Sequence, residues 1–508
     1  MVEPQSLDPV MLYRRQFVAG PRMPEPFRAW PVIPFSRTLL IGCHPELEVT
    51  TVSKQGRTVV CLGHILDPHS PGQGNSQVLE RLLALSETFF DLEQALAKLG
   101  GRWVLFVSLL EKQRVYHDAG GLKSVFFYTD PSSQDLWVAS QPGLFGDGLG
   151  LHPDEQLLKQ FWETTSHNSW VCELTPYRHV RQLLPNHYLD IGRRTSARFW
   201  PSTSVAPQTL EEAAEKMADI IHGLIVAVAQ RGPVALPLTG GYESRVSFSC
   251  AKELRRTIPL YLVDAPNTLY YDRVLSKRVA KVFGLHVDSF RGVPFDERFW
   301  RTILKNTGEM WWDQGINHLS TLGKYVPNHY LLIGAMGTVA RAWYYQDGKL
   351  PACIDARLLA NVIGFAGNQL VTESLEHWHA TVPKDTNVSA LDLLFWEHRQ
   401  GNWASMTYTA IDSVGCETSA PFNSRELMEI ALGVGAEYRK PPHALLRRIC
   451  VITGGEQAVS VPINRYWLEK IMTRALEPIP YRLKYGFFIA RMKRSGVPAC
   501  ALSDSRFY

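Results

Sequence analysis

Two adjacent glycines at the end of a short apolar run constrain this chain more than any other feature. The stretch Val234-Ala-Leu-Pro-Leu-Thr-Gly-Gly-Tyr-Glu-Ser-Arg-Val-Ser-Phe-Ser249 begins as a strand, Val234 to Leu238, and continues past Thr239-Gly240-Gly241 in a segment that can be helical. Glycines at such a turn let backbone approach a ligand closely, and the first turn of the helix offers unpaired N–H groups at its positive dipole end. Thr239 and Ser244 add hydroxyls at the same point. The pattern suits a phosphate group. It equally suits an ordinary tight turn, because Gly-Gly is common punctuation, and these residues alone leave both readings open.

Beyond the turn, strand and helix patterns alternate: Ile258 to Val263 reads as a strand, Asp272 to Phe283 as a helix and Tyr330 to Ile333 as another buried strand. Such alternation predicts a parallel α/β sheet with ligands at the carboxyl ends of its strands. From Asn361 onward the pattern is mostly helical. Residues 1 to 200 read differently. Thr58 to Gly63, Arg102 to Ser108, Arg114 to His117, Ser124 to Tyr128 and Leu136 to Ala139 are strand-like, with helical leucine spacing at Ser76 to Leu85 and Asp91 to Leu99. Strands in quick succession predict antiparallel sheets in a β-sandwich. Pro201 to Gln208 is a linker pattern, and Thr209-Leu-Glu-Glu212 has the spacing of a capping box opening a long apolar-faced helix. The division expected is therefore residues 1–200 and 209–508.

Composition narrows the classes of partner. The 508 residues are 45% hydrophobic and 20% charged, ordinary for a globular protein. A net charge of +4 is small at this length and argues against a nucleic-acid partner. The eight cysteines are scattered without paired spacing, which fits reduced thiols in a cytoplasmic protein better than disulfides or zinc. There is no signal-peptide pattern, and no apolar run reaches the roughly 20 residues that span a bilayer; the longest, Tyr330 to Tyr345, is broken by Arg341. No membrane partner is expected.

Several motifs in order resemble the asparagine synthetase superfamily. Thr239-Gly-Gly-Tyr-Glu-Ser-Arg245 is similar to the family's Ser-Gly-Gly-x-Asp-Ser pyrophosphate loop, with Thr for the first Ser and Glu243 for the Asp. Gly100-Gly-Arg-Trp-Val-Leu-Phe106, Val115-Tyr-His-Asp-Ala-Gly-Gly-Leu-Lys-Ser-Val-Phe-Phe-Tyr128, Trp137-Val-Ala-Ser140 and Leu183-Leu-Pro-Asn-His-Tyr-Leu-Asp190 resemble successive segments of its glutaminase domain. Tyr271-Asp272 with Val279-Ala280 and Gly284-Leu-His286, and Cys416-Glu-Thr-Ser-Ala-Pro-Phe-Asn423, resemble later ones.

Departures from the family pattern are as informative. The family's glutaminase uses an N-terminal cysteine, whereas this chain begins Met1-Val2 and its first cysteine is Cys43. The N-terminal domain is therefore expected to be a scaffold. The family's acidic second loop corresponds to Ile333-Gly-Ala-Met-Gly-Thr-Val-Ala-Arg341, which keeps Gly334 and Gly337 and has no carboxylate. Arg341 is a candidate holder of phosphate or carboxylate, or else a surface cation. Where the family has lysine, His443-Ala-Leu-Leu-Arg447 has histidine, with Lys440 one turn away as a substitute.

The resemblance implies an ATP-pyrophosphatase-like synthetase domain behind a degenerate glutaminase-like domain. It implies ATP and Mg2+ as cofactors and an AMP-forming ligase that adenylates a carboxylate and passes it to an amine other than glutamine-derived ammonia. β-Lactam synthetases and lasso-peptide cyclases are relatives of that kind, so a small-molecule or peptide substrate is implied, with a homodimer or a biosynthetic partner protein left open. Glu243, His443, Lys440 and Arg341 are the candidate catalytic residues, and Glu243 is also the candidate metal ligand. Leu238, Thr239, Gly240, Gly241, Ser244 and Arg245 are the candidate nucleotide contacts. Glu309, Asp313 and Tyr345 are the candidate substrate contacts; the first two, four apart, would share a helix face. The alternative is a catalytically inactive binding or scaffold protein.

Overall fold

The computed structural model describes residues 7–162, 169–265, 268–310 and 316–463. Asp313 lies outside the described residues. The chain has a two-domain α/β architecture, with antiparallel sheets in the N-terminal half and a parallel sheet with helices after it. Among the described residues twelve strands build the first part: β1 (Phe17–Gly20), β2 (Val32–Ser36), β3 (Leu39–Cys43), β4 (Val49–Lys54), β5 (Arg57–Leu66), β6 (Gly100–Leu109), β7 (Lys112–His117), β8 (Phe126–Thr129), β9 (Leu136–Ala139), β10 (Val180–Gln182), β11 (His187–Asp190) and β12 (Thr195–Arg198). They form two six-stranded antiparallel sheets, ordered β10-β8-β9-β1-β3-β2 and β12-β11-β7-β6-β5-β4.

Alternation along β5 and β6 explains why these strands read as nearly continuous apolar runs. Val60, Leu62, Val104 and Phe106 point into the space between the sheets, where they meet Phe17, Phe127 and Val138. Their neighbours Val59, Cys61, Trp103, Leu105 and Val107 point the other way, onto the helices Asn75–Leu85 and Phe89–Ala97. Successive side chains of a strand face opposite sides, so a sheet covered on both faces needs apolar residues at every position. The early strands β1 to β4 lie in a region where no strand was expected from pattern; they are short, and β4 is largely exposed.

The second part opens with the helix Leu210–Ala229, whose N-terminus is the expected capping box: the Thr209 hydroxyl accepts from Glu212 N–H and the Glu212 carboxylate accepts from Thr209 N–H. Five parallel strands follow, β13 (Val234–Pro237), β14 (Leu260–Asp264), β15 (Asp288–Arg291), β16 (Tyr330–Leu332) and β17 (Glu417–Ser419), in the order β15-β14-β13-β16-β17. The chain steps from β13 outward to β14 and β15, then returns to the other side of β13 for β16 and β17. The order therefore reverses between β13 and β16. Open α/β sheets carry their ligands outside the carboxyl ends of the strands at such a reversal. The strand β17 sits inside the stretch that reads as helical; at three residues it is too short to leave a period in the sequence.

Pro237 fits this geometry. Leu236 N–H donates to the Pro259 carbonyl just before β14 and Leu238 N–H to that of Tyr261 within it, so position 237 faces β16. Pairing with β16 ends at Ala235↔Leu331, and the missing proline donor falls where no acceptor waits. Among the described residues no helix is long and apolar enough to cross a membrane.

Candidate functional site

The Gly-Gly turn leaves β13 at this reversal of strand order and runs into the helix Tyr242–Cys250. Its donors are held within the chain. Thr239 N–H donates to Ser244 Oγ (3.1 Å), Gly241 N–H to Thr239 Oγ1 (3.2 Å), and the two hydroxyls lie 2.9 Å apart. Gly240 N–H donates to Asp272 Oδ1 at 2.7 Å, from the first turn of the helix Tyr270–Val282. A carboxylate thus stands at the turn. Burial pushes the Asp272 carboxyl above its ordinary value, offset in part by the Gly240 N–H. Leu238 is buried beneath the turn. Arg245 is wholly buried and spends its guanidinium on the Val461 (2.5 Å), Pro462 (3.1 Å) and Gly240 (3.4 Å) carbonyls, tying the turn to the end of the described chain.

The loop after β16 packs directly on Glu243. A Cβ at Gly334 would lie 2.7 Å from Glu243 Cβ, and one at Gly337 would lie 2.9 Å from Glu243 Cγ. Both glycines are therefore required by the glutamate side chain. Met336 N–H is taken by Gln400 Oε1 (3.1 Å), and Met336 itself adopts φ +70°. That left-handed residue turns the loop back so that Arg341 meets Glu243. The Arg341 Nη1–H donates to Glu243 Oε1 at 2.8 Å, and the Thr338 hydroxyl donates to the same oxygen at 3.1 Å.

His443 completes the cluster. Arg341 directs its Nε and Nη2 donors at His443 Nε2 (3.2 and 3.0 Å), while His443 Nδ1 lies 2.7 Å from the Arg439 carbonyl. Burial first, and the Arg341 charge with it, hold the imidazole below its ordinary pKa. The Tyr242 ring meets the imidazole edge-on at 5.5 Å, and its hydroxyl donates to the Pro442 carbonyl. Trp343 underlies the Arg341 guanidinium at 5.2 Å.

Glu243 from the first turn of its helix, Arg341 from the loop after β16 and His443 from the start of the helix Ala444–Gly454 are thus brought together, beside Thr239, Gly240, Gly241 and Ser244. Other candidates lie elsewhere. The Lys440 ammonium donates to the Asp347 carbonyl (3.1 Å) at the exposed surface. Tyr345 is buried, donates to Asp392 Oδ2 (2.6 Å) and accepts from Arg439 Nη2 (2.7 Å). Glu309 does not lie on a helix, because Gly308 and Glu309 both take positive φ after the helix Glu297–Asn306 ends; its charge acts on Tyr177. Asp272, Thr338 and Gln400 are residues that motif reading did not single out as site residues. For Asp272 a signal existed: an acid in the first turn of the helix that follows β14.

Whether these residues fit Mg2+ is decided at Glu243. Its carboxylate is already neutralised by a guanidinium at 2.8 Å, which repels a dication. The donor set does not fit a resident Mg2+ there.

No family model matches the chain and no curated protein matches it. Among solved structures it is similar to the allosteric regulatory enzyme of purine biosynthesis, at 12% identity over 50% of this chain and 60% of that one, with a TM-score of 0.24. It is also similar to glutamine phosphoribosylpyrophosphate amidotransferase from B. subtilis complexed with ADP and GMP, at 11% identity over 65% of this chain and 71% of that one, again with a TM-score of 0.24. The chain thus spans about 60% of the length of the first. This is a distant likeness to amidotransferase structures and does not single out the asparagine synthetases. So low a score says nothing about what this chain binds or does.

Proposed function

We propose that the protein is an ATP-dependent ligase that forms amide bonds by way of an acyl-adenylate. The observation that carries this reading is the position of the Gly-Gly turn: it leaves the central strand at the point where strand order reverses, with the Arg341 cation facing it from the neighbouring loop. That is where open α/β sheets bind their ligands. In the proposed reaction a substrate carboxylate oxygen attacks the α-phosphorus of ATP and pyrophosphate leaves. An amine nitrogen then attacks the acyl carbon, AMP departs with the bonding electrons, and the amine loses a proton. This chain's residues bind and orient: the turn and Arg341 take the phosphate charge, and Gly240 N–H becomes available to phosphate when Asp272 moves aside. Mg2+ enters as part of the nucleotide substrate.

A second reading, an inactive binding or scaffold protein, is favoured by a specific observation. The three turn donors and the Glu243 carboxylate are satisfied by other groups of the same chain. ATP–pyrophosphate exchange against a panel of carboxylates and amino acids separates the two. Exchange that is lost in Gly241→Val supports the ligase. ATP bound in calorimetry without exchange under any carboxylate supports the binding protein. Glu243→Gln is expected to leave nucleotide binding no less Mg2+-dependent than before, since the pair with Arg341 leaves that carboxylate no metal role.

A further inference from the structure

We infer that His443 is a positioning residue: fixed as the Nδ1–H tautomer, it holds the Arg341 guanidinium by one edge so that the remaining Arg341 donors meet a phosphate oxygen at the Gly-Gly turn. The inference rests on the reading above only in placing a phosphate there; it does not require that the phosphate be transferred.

The tautomer follows from its partner. A carbonyl oxygen only accepts, so the 2.7 Å contact with Arg439 puts the proton on His443 Nδ1. Nε2 then carries a lone pair, and the two Arg341 donors aimed at it at 3.2 and 3.0 Å match that state. A ring in this state has no acceptor left for an amine proton and no N–H left for a phosphate. It therefore neither acts as a base nor replaces a cation. Its acceptor is turned wholly on Arg341.

Behind it the support is rigid. The carbonyl that fixes Nδ1 belongs to Arg439, whose own side chain is buried and clamped on Asp392 Oδ1 and Oδ2 (3.2 and 3.1 Å) and on the Tyr345 hydroxyl (2.7 Å). Tyr345 in turn donates to Asp392 at 2.6 Å. A continuous chain of contacts runs Asp392, Arg439, His443, Arg341, Glu243. An arginine carries five N–H donors. Two are spent on His443 and one on Glu243 Oε1, which leaves two, one on each terminal nitrogen. Glu243 balances one unit of the positive charge, and a neutral His443 adds none.

Protonation reverses the arrangement. An imidazolium would turn an N–H toward the guanidinium at about 3 Å, and like charges at that range repel strongly. The groups around the ring are Arg341, Glu243 and Tyr242 from the facing elements, and Arg439, Lys440 and Arg447 from its own. Of these only Glu243 favours the imidazolium by its charge. Phosphate binding should therefore weaken on acidification, opposite to a site where a histidine itself takes the phosphate.

The test is calorimetry with ATP and with pyrophosphate from pH 5.5 to 8, on the full chain and on His443→Gln, His443→Lys and Arg341→Leu, each checked for folding by thermal melting. In the wild type, affinity is expected to fall as pH drops below the neutral range. His443→Gln keeps an acceptor for Arg341 and should bind within a few fold of wild type at pH 8, retaining only the shallower acid dependence of the phosphates' own protonation; an acid slope equal to that of wild type overturns the inference. His443→Lys and Arg341→Leu should each lose at least about tenfold, the worth of a hydrogen bond to a charged group. Tighter binding on acidification, or equal binding by His443→Lys, overturns the inference. Nucleotide binding that follows this pattern without any ATP–pyrophosphate exchange sinks the ligase reading and leaves the inference standing. Exchange indifferent to His443→Lys does the reverse, and binding of neither probe sinks both.

Discussion

Arg102 and Arg341 each hold a carboxylate, and they use their five donors differently. Arg102, on β6, is 1% exposed and joins the two halves of the molecule. Its terminal nitrogens take Asp412 from both sides at 2.5 and 2.8 Å, its Nε donates to the Leu122 carbonyl at 3.0 Å, and Glu417 and Thr409 accept at 3.4 Å. Asp412 is fully buried. Arg341 is 13% exposed, holds Glu243 by one contact and keeps two donors in reserve. Full satisfaction away from water makes a lock. Partial satisfaction nearer the surface leaves donors open. A third pair, Arg448 with Glu211 at 2.6 Å, lies in solvent on both sides, with side chains 40% and 56% exposed. The same two chemical groups thus occur at three depths, and depth sets what each pair is worth.

The largest effect is expected at the buried pair. Asp412→Ala removes the nearest carboxylate of Arg102 and of the nearby buried Lys123, and removing one partner of a buried ion pair costs about 3–5 kcal/mol. Denaturant unfolding checks this; a loss no greater than that of a surface substitution would erase the contrast. The pair also predicts a pH dependence. Burial pushes the Asp412 carboxyl up, but Arg102 and Lys123 outweigh it and hold the group below the usual carboxylate range. Its contribution is therefore fully present above the unfolded value of about 4 and is lost as pH falls through the lower folded value. Asp412→Asn should flatten that part of a melting-temperature profile against pH.

An intermediate effect is expected where the second loop touches Glu243. Gly334→Ala puts a Cβ 2.7 Å from Glu243 Cβ, and overpacking of this kind costs about 1–3 kcal/mol. Glu243→Gly removes the obstructing atom, so the double variant should recover part of the loss, with a coupling of about 0.5 kcal/mol or more. Strict additivity would mean that the loop is not built around Glu243. The smallest effect belongs to the exposed pair: Glu211→Gln should change stability by less than about 1 kcal/mol, and less still at high salt.

Much of the fold was legible locally. The runs at Thr58 to Gly63 and Arg102 to Ser108 were readable as strands because β-branched and aromatic residues cluster there, and the structure extends them to Arg57–Leu66 and Gly100–Leu109. The Thr209 capping box was readable because its two hydrogen bonds span three residues. The short strands β1 to β4 and β17 were not. A strand of three to six residues, partly exposed or held by neighbours distant in sequence, leaves too few positions for a period to stand out. The Glu309–Asp313 spacing suggested a shared helix face, but Gly308 and Glu309 leave the helix through positive φ; spacing counts residues and does not see where a helix stops.

At the candidate site the division is sharper. Gly240-Gly241 after an apolar run, the helix that follows and the alternation of strands and helices beyond it are properties of the sequence by itself, because turn chemistry and hydrophobic periodicity act between residues a few positions apart. Which charge meets which was decided by the tertiary structure alone. Glu243 and Arg341 are 98 residues apart, and Arg341 and His443 are 102. Only the order β15-β14-β13-β16-β17 puts the loops after β13 and β16 side by side. That order is set by how whole strands and helices bury their apolar faces against one another, a sum over the entire core that no local pattern carries.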